Sequence, residues 1–212
     1  MHVREFIEKY YPEYYGWFDY PADKTAAFCK SDEPWGILGN FGKTPLIVGG
    51  VPFDCAEKLF QVMKFSATES RRLVYSVSGQ HIKMTAKRKD LAPTIRSDWG
   101  MIIVDVLKFC LMQKYEQSEA FREELERSRE LYIVEVQNNS RKPADTYSAK
   151  LSPDGKTWSG PNLMGRLLME LRDNGKLEWH LPDDAMDFSD LKAYSRLFLW
   201  ELDHARSILT VP

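Results

Sequence analysis

The stretch Gly160–Gly175, GPNLMGRLLMELRDNG, carries the clearest structural instruction in the chain. Leu163, Met164, Leu167, Leu168 and Leu171 recur at three- and four-residue spacing, the stripe that one face of an α-helix buries. Pro161 is expected in the first helical turn, where its missing N–H costs nothing, and Gly175 at the stop, where a left-handed residue closes the last turn. A helix this apolar on one side needs a packing partner. The run DWGMIIVDVLKFCLMQKY offers one: it is apolar on nearly all sides, interrupted by Asp105, Lys108 and Lys114, and reads as a central buried helix from Trp99 to about Tyr115.

Working outward, DCAEKLFQVMKF has a core stripe of Ala56, Leu59, Phe60 and Met63 beside a polar face of Glu57, Gln61 and Lys64 at i, i+4 and i+7. Residues 25–51 are short apolar runs broken by glycines, and PLIVGGVPF reads as a hairpin. VREFIEKYY is a short docking helix stopped by Pro12. Between Thr68 and Arg96 the periodicity weakens, and Pro93 predicts a loop with helical pieces. Ser118 is expected to cap the helix EAFREELERS, and LYIVEV is a strand. Residues 138–158 read as an irregular segment of the kind that serves as a lid or substrate loop. A last amphipathic helix is expected from a Ser189 cap to Leu209. With no repeats or linkers, the expectation is one domain over 1–212, mainly α (α+β with a few short strands), its core near 28–173 and terminal additions at 1–24 and 176–212.

Composition narrows the function. The net charge of −2 gives no general pull toward nucleic acid or an anionic membrane, so any phosphate contact must be local. Cys29, Cys55 and Cys110 are odd in number and far apart, which fits reduced cytoplasm better than a disulfide framework or zinc knuckle. No stretch resembles a secretory signal or a bilayer-spanning helix. There is no HExxH, Walker loop or GxSxG, and the four histidines are scattered, so neither metal nor cofactor is expected. The remaining kit is carboxylates beside aromatic and amide side chains. That kit suits cleavage of a glycosidic bond through an oxocarbenium-like transition state, with a carboxylate stabilising the cation or activating water.

Six blocks stand in order: GILGNF (36–41), CAEKLFQVMKF (55–65), RSDW (96–99), KYEQ (114–117), IVE (133–135) and GPNLMGRLLMELR (160–172). In this order the chain resembles the NADAR (YbiA-like) family over about 28–173, the last block being the most specific. The resemblance implies a mainly helical fold and N-glycosidase activity on a small ribosylated, nucleotide-like partner. The associated substrates are a ribosylaminopyrimidine phosphate of riboflavin synthesis and ADP-ribose linked to guanine. ADP-ribosylated nucleic acid is a partner the net charge does not favour, no membrane partner is expected, and oligomeric state stays open.

By position, Glu57 matches the family's pocket glutamate, Lys64 its basic partner, Trp99 the aromatic wall, Asn162 the amide before the last helix and Arg172 the terminal arginine. Asn40 and Phe41 match the loop over the substrate, and Gln61 shares the Glu57 face. Two departures stand out. Lys58 occupies the place of a histidine that often follows the helix glutamate. The family's second acid, near a Trp-Gly pair beyond the strand, has its counterpart in Asp145, about twice as far on, with Tyr147 or Trp158 as the aromatic.

The expected catalytic pair is therefore Glu57 and Asp145, with substrate held by Asn40, Phe41, Gln61, Lys64, Trp99, Tyr147, Asn162 and Arg172. Each has a plainer reading. Asp54 and Glu57 have capping-box spacing, Lys64 could be a surface lysine, and Trp99 could be core. Asn162 could cap its helix, and Arg172 could neutralise the helix C-terminus. Glu135 could be the buried partner of a base, and Lys87, Arg88 and Lys89 read as a solvated cluster. A binding module that holds ADP-ribose without cleaving it is the alternative function.

Overall fold

The structure, a computed structural model, describes residues 3–139 and 141–196. The apolar run becomes the central helix α5, Trp99–Gln117, with Ile103, Val104, Val106, Leu107, Cys110 and Leu111 buried along its length. Packed on it are α1 (Val3–Tyr10), α2 (Ala56–Met63) and α6 (Glu119–Arg127). All eight residues of α2 are buried, because its apolar face meets α5 and its polar face lines a cavity. Ser118 caps α6, its Oγ accepting from the Phe121 N–H. Among the described residues, no helix is long and apolar enough to cross a membrane.

Three small sheets frame the helices, so the fold is α+β, with helix predominating over the short strands. Strand β2 (Thr25–Phe28) pairs in parallel with β5 (Tyr132–Glu135). β3 (Leu46–Val48) and β4 (Val51–Phe53) form the expected hairpin, with Gly49 and Gly50 both at positive φ in its turn. β1 (Phe18–Pro21), β7 (Thr157–Gly160) and β6 (Lys150–Leu151) make an antiparallel sheet in the order β1-β7-β6. Residues 138–158 are therefore irregular only in part. Their second half is a β6–β7 hairpin, held because Trp158 on β7 packs against the small cluster of Tyr20, Val134 and Ala149.

The deciding stretch forms α7, Leu163–Asn174, with Gly175 closing it at φ 70°. Its five stripe residues are all buried, each contributing roughly 1.5–3 kcal/mol as an upper estimate. The expectation for Pro161 needs correction. The helix begins after Asn162, which adopts a left-handed φ of 48°, so Pro161 precedes the cap. The reason is the close approach of α7 to β5: a Cβ on Gly165 would lie 2.0 Å from the Ile133 carbonyl oxygen. Residues 68–96 are also more ordered than expected, forming α3 (Thr68–Tyr75), α4 (His81–Ala86) and a 3-10 segment, Lys89–Thr94, containing Pro93. The last helix is described over 189–196, and its expected remainder to Leu209 lies outside the described residues. The Asp187 carboxylate, rather than Ser189, accepts the free N–H at its start.

Candidate active site

A cavity of about 260 Å³ opens where α2, α4, the first turns of α5 and α7, the end of β5 and the Asp145–Tyr147 turn converge. Glu57, Phe60 and Gln61 of α2 and Lys64 at its C-terminal cap line it, at i, i+3, i+4 and i+7 along one face. Glu57 is not half of a capping box. Asp54 instead pairs with Lys58 at 2.5 Å, and the Glu57 backbone N–H donates to the Asn40 carbonyl at 2.9 Å. The Glu57 side chain is thereby left to the cavity, 2% exposed overall. Its Oε1 accepts from Gln61 Nε2 at 2.8 Å and stands 3.8 Å from the Lys83 ammonium.

A buried lysine shapes the loop carrying Asn40 and Phe41. Lys114 of α5 donates to the carbonyls of Ile37, Leu38 and Gly39 at 2.8, 3.2 and 2.9 Å. Burial pushes its pKa down to about 7, while three carbonyl acceptors on one nitrogen match the three N–H groups of an ammonium. This clamp places Asn40 and Phe41 on the cavity wall. The buried Asn40 Oδ1 has no hydrogen-bond partner in the protein, and so offers an acceptor for a ligand hydroxyl.

The start of α7 organises the opposite loop. The N–H groups of Asn162, Leu163 and Met164 donate to the carbonyls of Ser148, Thr146 and Tyr147 at 3.1–3.2 Å, which satisfies the open end of the helix. Asp145 lines the cavity; its Oδ1 accepts from the Tyr147 N–H at 3.1 Å and from Ser148 Oγ at 2.7 Å. Tyr147 and Trp99 complete the aromatic lining, Trp99 packing edge-on against Phe60 with centroids 5.3 Å apart. Burial among Glu57, Asp145 and Glu135 raises the Tyr147 pKa, so its hydroxyl stays protonated.

The cavity thus brings together Asn40, Phe41, Glu57, Gln61, Lys64, Trp99, Asp145 and Tyr147. Two expected residues lie elsewhere. Asn162 is fully buried, its Nδ2 donating to the Ile133 carbonyl at 2.8 Å and its Oδ1 accepting from the Glu135 N–H at 3.1 Å. With both ends of the amide satisfied by β5, it docks helix to strand. Arg172 donates through Nη1 to the carbonyls of Ser128 and Leu131, both at 2.7 Å, and through Nε to Asp173 at 2.8 Å. It ties α7 to the connection before β5.

Sequence reasoning missed three charged lining residues, Glu135, Lys83 and Lys87. Glu135 lines the cavity with its Oε2 buried and without a hydrogen-bond partner, unlike the base-paired acid of its plainer reading. Burial pushes its pKa up to about 7, with Asp145 and Glu57 adding to the shift and Lys83 opposing it. The available signal was a lone charge inside the apolar run LYIVEV. Lys83 and Lys87 also line the cavity, four residues apart on and just past α4. The basic cluster therefore splits, with Lys87 at the cavity while Arg88 pairs outward with Asp90 at 2.6 Å. Lys64 donates to the Ala86 carbonyl at 3.1 Å, and burial together with nearby Lys87 lowers its pKa. Among the described residues, no group of three His, Cys, Asp or Glu is arranged to hold a metal ion.

Known proteins resemble this chain over about three quarters of its length. The N-glycosidase YbiA of Escherichia coli (strain K12) is 28% identical over 156 residues, covering 74% of this chain and 91% of that protein. A riboflavin biosynthesis protein of Vibrio vulnificus is 26% identical over 165 residues, which span 77% of this chain and 41% of that protein. The NMR structure of the E. coli protein YbiA superposes with a TM-score of 0.57 at 27% identity, covering 75% of this chain and 90% of that one. The family model described as the NADAR domain matches residues 27–174, from the middle of β2 to the end of α7. The chain belongs to the NADAR domain family.

Proposed function

We propose that this cavity hydrolyses the bond between a ribose carbon and a nitrogen in a phosphorylated, nucleotide-like compound. Membership of a family whose curated relatives are named N-glycosidase makes the chain a glycosidase. The observation that carries the finer reading is the convergence of Glu57, Glu135 and Asp145 with Lys64, Lys83 and Lys87 on one small cavity. Carboxylates serve the cation that develops at the anomeric carbon, and lysines serve a phosphate.

The carboxylates divide the work by environment. Glu57, fixed by Gln61 and facing Lys83, stabilises the anomeric cation and takes a proton from the attacking water. Glu135, its Oε2 buried and unpartnered, holds a proton near neutral pH and delivers it to the departing nitrogen. As the C–N bond breaks, its electron pair goes to that nitrogen, and water's oxygen bonds to the ribose carbon. Asp145 flanks the same space, Asn40 accepts from a ribose hydroxyl, and Trp99 and Tyr147 offer aromatic surface to the base. The three free cysteines support a reducing, cytoplasmic setting.

The two substrates to try are ADP-ribosylated guanosine and a ribosylaminopyrimidine 5′-phosphate, with release of free base followed by chromatography. Hydrolysis of at least one is expected, with Glu57→Gln losing at least 100-fold in kcat on it. Undiminished turnover in that variant would remove the catalytic assignment.

A further inference from the structure

Helix α1 lies before the residues that the family model matches, yet it is built into the wall of the site. Val3 lines the catalytic cavity. A second, shallower depression of about 580 Å³ lies between α1 and the Ala144–Tyr147 turn, and Val3, Asp145 and Tyr147 line both spaces. The two are neighbours across those three side chains.

The position of α1 is fixed by several independent anchors. Phe6 fills the space over Gly100, where a Cβ would fall 2.3 Å from the ring, so the missing side chain beside Trp99 is what admits the helix. Ile7 is buried. Just past the helix, Tyr11 Oη donates to the Met101 carbonyl at 2.5 Å, and Arg166 of α7 donates to the carbonyls of Glu13 and Tyr14, both at 2.9 Å. A segment held to both α5 and α7 keeps a constant distance from the catalytic acids.

Size and charge say what the second space takes. The catalytic cavity, about 260 Å³, is at the small end of the rough 300–1,000 Å³ range for small-molecule sites, and the depression that shares Val3, Asp145 and Tyr147 with it gives a nucleotide-like substrate room to extend. Among the described residues, the lysines line only the catalytic cavity, whereas the second depression sets Glu8 and Asp145 against Arg4. Phosphate is drawn to the lysines and repelled by the acids.

We propose that α1 and the Ala144–Tyr147 turn form the subsite for the leaving base, an uncharged heterocycle rich in N–H donors, and that Val3 gauges its size. This rests on the N-glycosidase reading and adds the orientation of the substrate, with its phosphoryl end toward α4 and its base toward α1. The N-terminal segment is then a specificity element.

The test uses the full chain with Val3→Trp, which narrows the passage, and Val3→Ala, which widens it. Substrates with a one-ring and a two-ring leaving base are compared by kcat/KM, and melting temperatures check folding. The two-ring to one-ring ratio is expected to fall at least tenfold in Val3→Trp and to rise in Val3→Ala; a ratio unmoved in both variants overturns the subsite while leaving the glycosidase reading intact. Methyl NMR of the parent separates the two ideas when turnover is absent. Shifts at Val3 and Thr146 with the free base but not with ribose 5-phosphate support the subsite, whereas no such shift overturns it.

Discussion

Glu57 and Glu135 are both glutamates at one cavity, and the proposed mechanism gives them different work because their surroundings differ. Glu57 accepts from the Gln61 amide and stands 3.8 Å from Lys83, whereas Glu135 Oε2 has no hydrogen-bond partner and Lys83 only partly offsets its burial. Glu57→Gln keeps the size and the contact with Gln61 but removes the negative charge, so it should fold normally by circular dichroism while losing at least 100-fold in kcat. Glu135 makes a pH prediction. As a proton donor with a pKa of about 7, it should give a kcat that declines as pH rises through 7, and Glu135→Gln should be slow and lack that limb. Its effect on stability has a definite sign. A folded pKa above the unfolded value near 4.5 means the group's stabilising contribution is present below about pH 4.5 and lost as pH rises through 7. Thermal melts should therefore find Glu135→Gln about equal to the parent near pH 4 and more stable at pH 8, by on the order of 2 kcal/mol; a variant less stable at pH 8 would contradict the burial argument.

At the scale of elements, the best-signalled helix proves to be a joint as much as a helix. Asn162 satisfies the Ile133 carbonyl and the Glu135 N–H, and Gly165 lets the backbone close on the same strand. Asn162→Ala leaves two buried β5 groups without partners and should cost about 2–4 kcal/mol in urea denaturation. Its activity loss should follow the fraction unfolded, which separates a docking residue from a ligand-binding one. Lys114→Met leaves the Ile37 and Leu38 carbonyls of the Asn40 loop without a partner, while the Gly39 carbonyl keeps the Gly42 N–H, and should cost on the order of 3 kcal/mol. These joints also explain what could be read beforehand. The cores of α2, α5, α6 and α7 and the Gly49-Gly50 hairpin were legible because their signals are local: apolar periodicity, a cap, a turn that requires positive φ. Asn162 was misread because its role depends on a strand 27 residues earlier, and Pro161 was misplaced by the same long-range contact. The α2 face could be read from i, i+4, i+7 spacing. Lys83 and Lys87 could not, because α4 is only six residues long and its neighbouring charges point to both cavity and solvent.

Across the whole molecule, charge is nearly balanced, with 29 basic and 31 acidic residues, so attraction for an anion depends on where cations gather rather than on their number. At the cavity they gather as Lys64, Lys83 and Lys87. Lys64 is tied to the Ala86 carbonyl and Lys83 faces Glu57, which leaves Lys87 as the lysine best suited to test phosphate recognition without disturbing a catalytic acid. Lys87→Glu replaces attraction with repulsion at that wall. It should raise KM about tenfold for a phosphorylated substrate, equivalent to about 1.4 kcal/mol, with kcat and melting temperature close to the parent's. For the same compound stripped of its phosphate, the variant and the parent should have similar KM values. Raising salt from 50 to 300 mM should narrow the difference on the phosphorylated substrate, since exposed charges are screened over that range. Equal KM increases with and without phosphate would instead assign Lys87 to the ribose or the base, and the charge-based orientation of the substrate would have to be reversed.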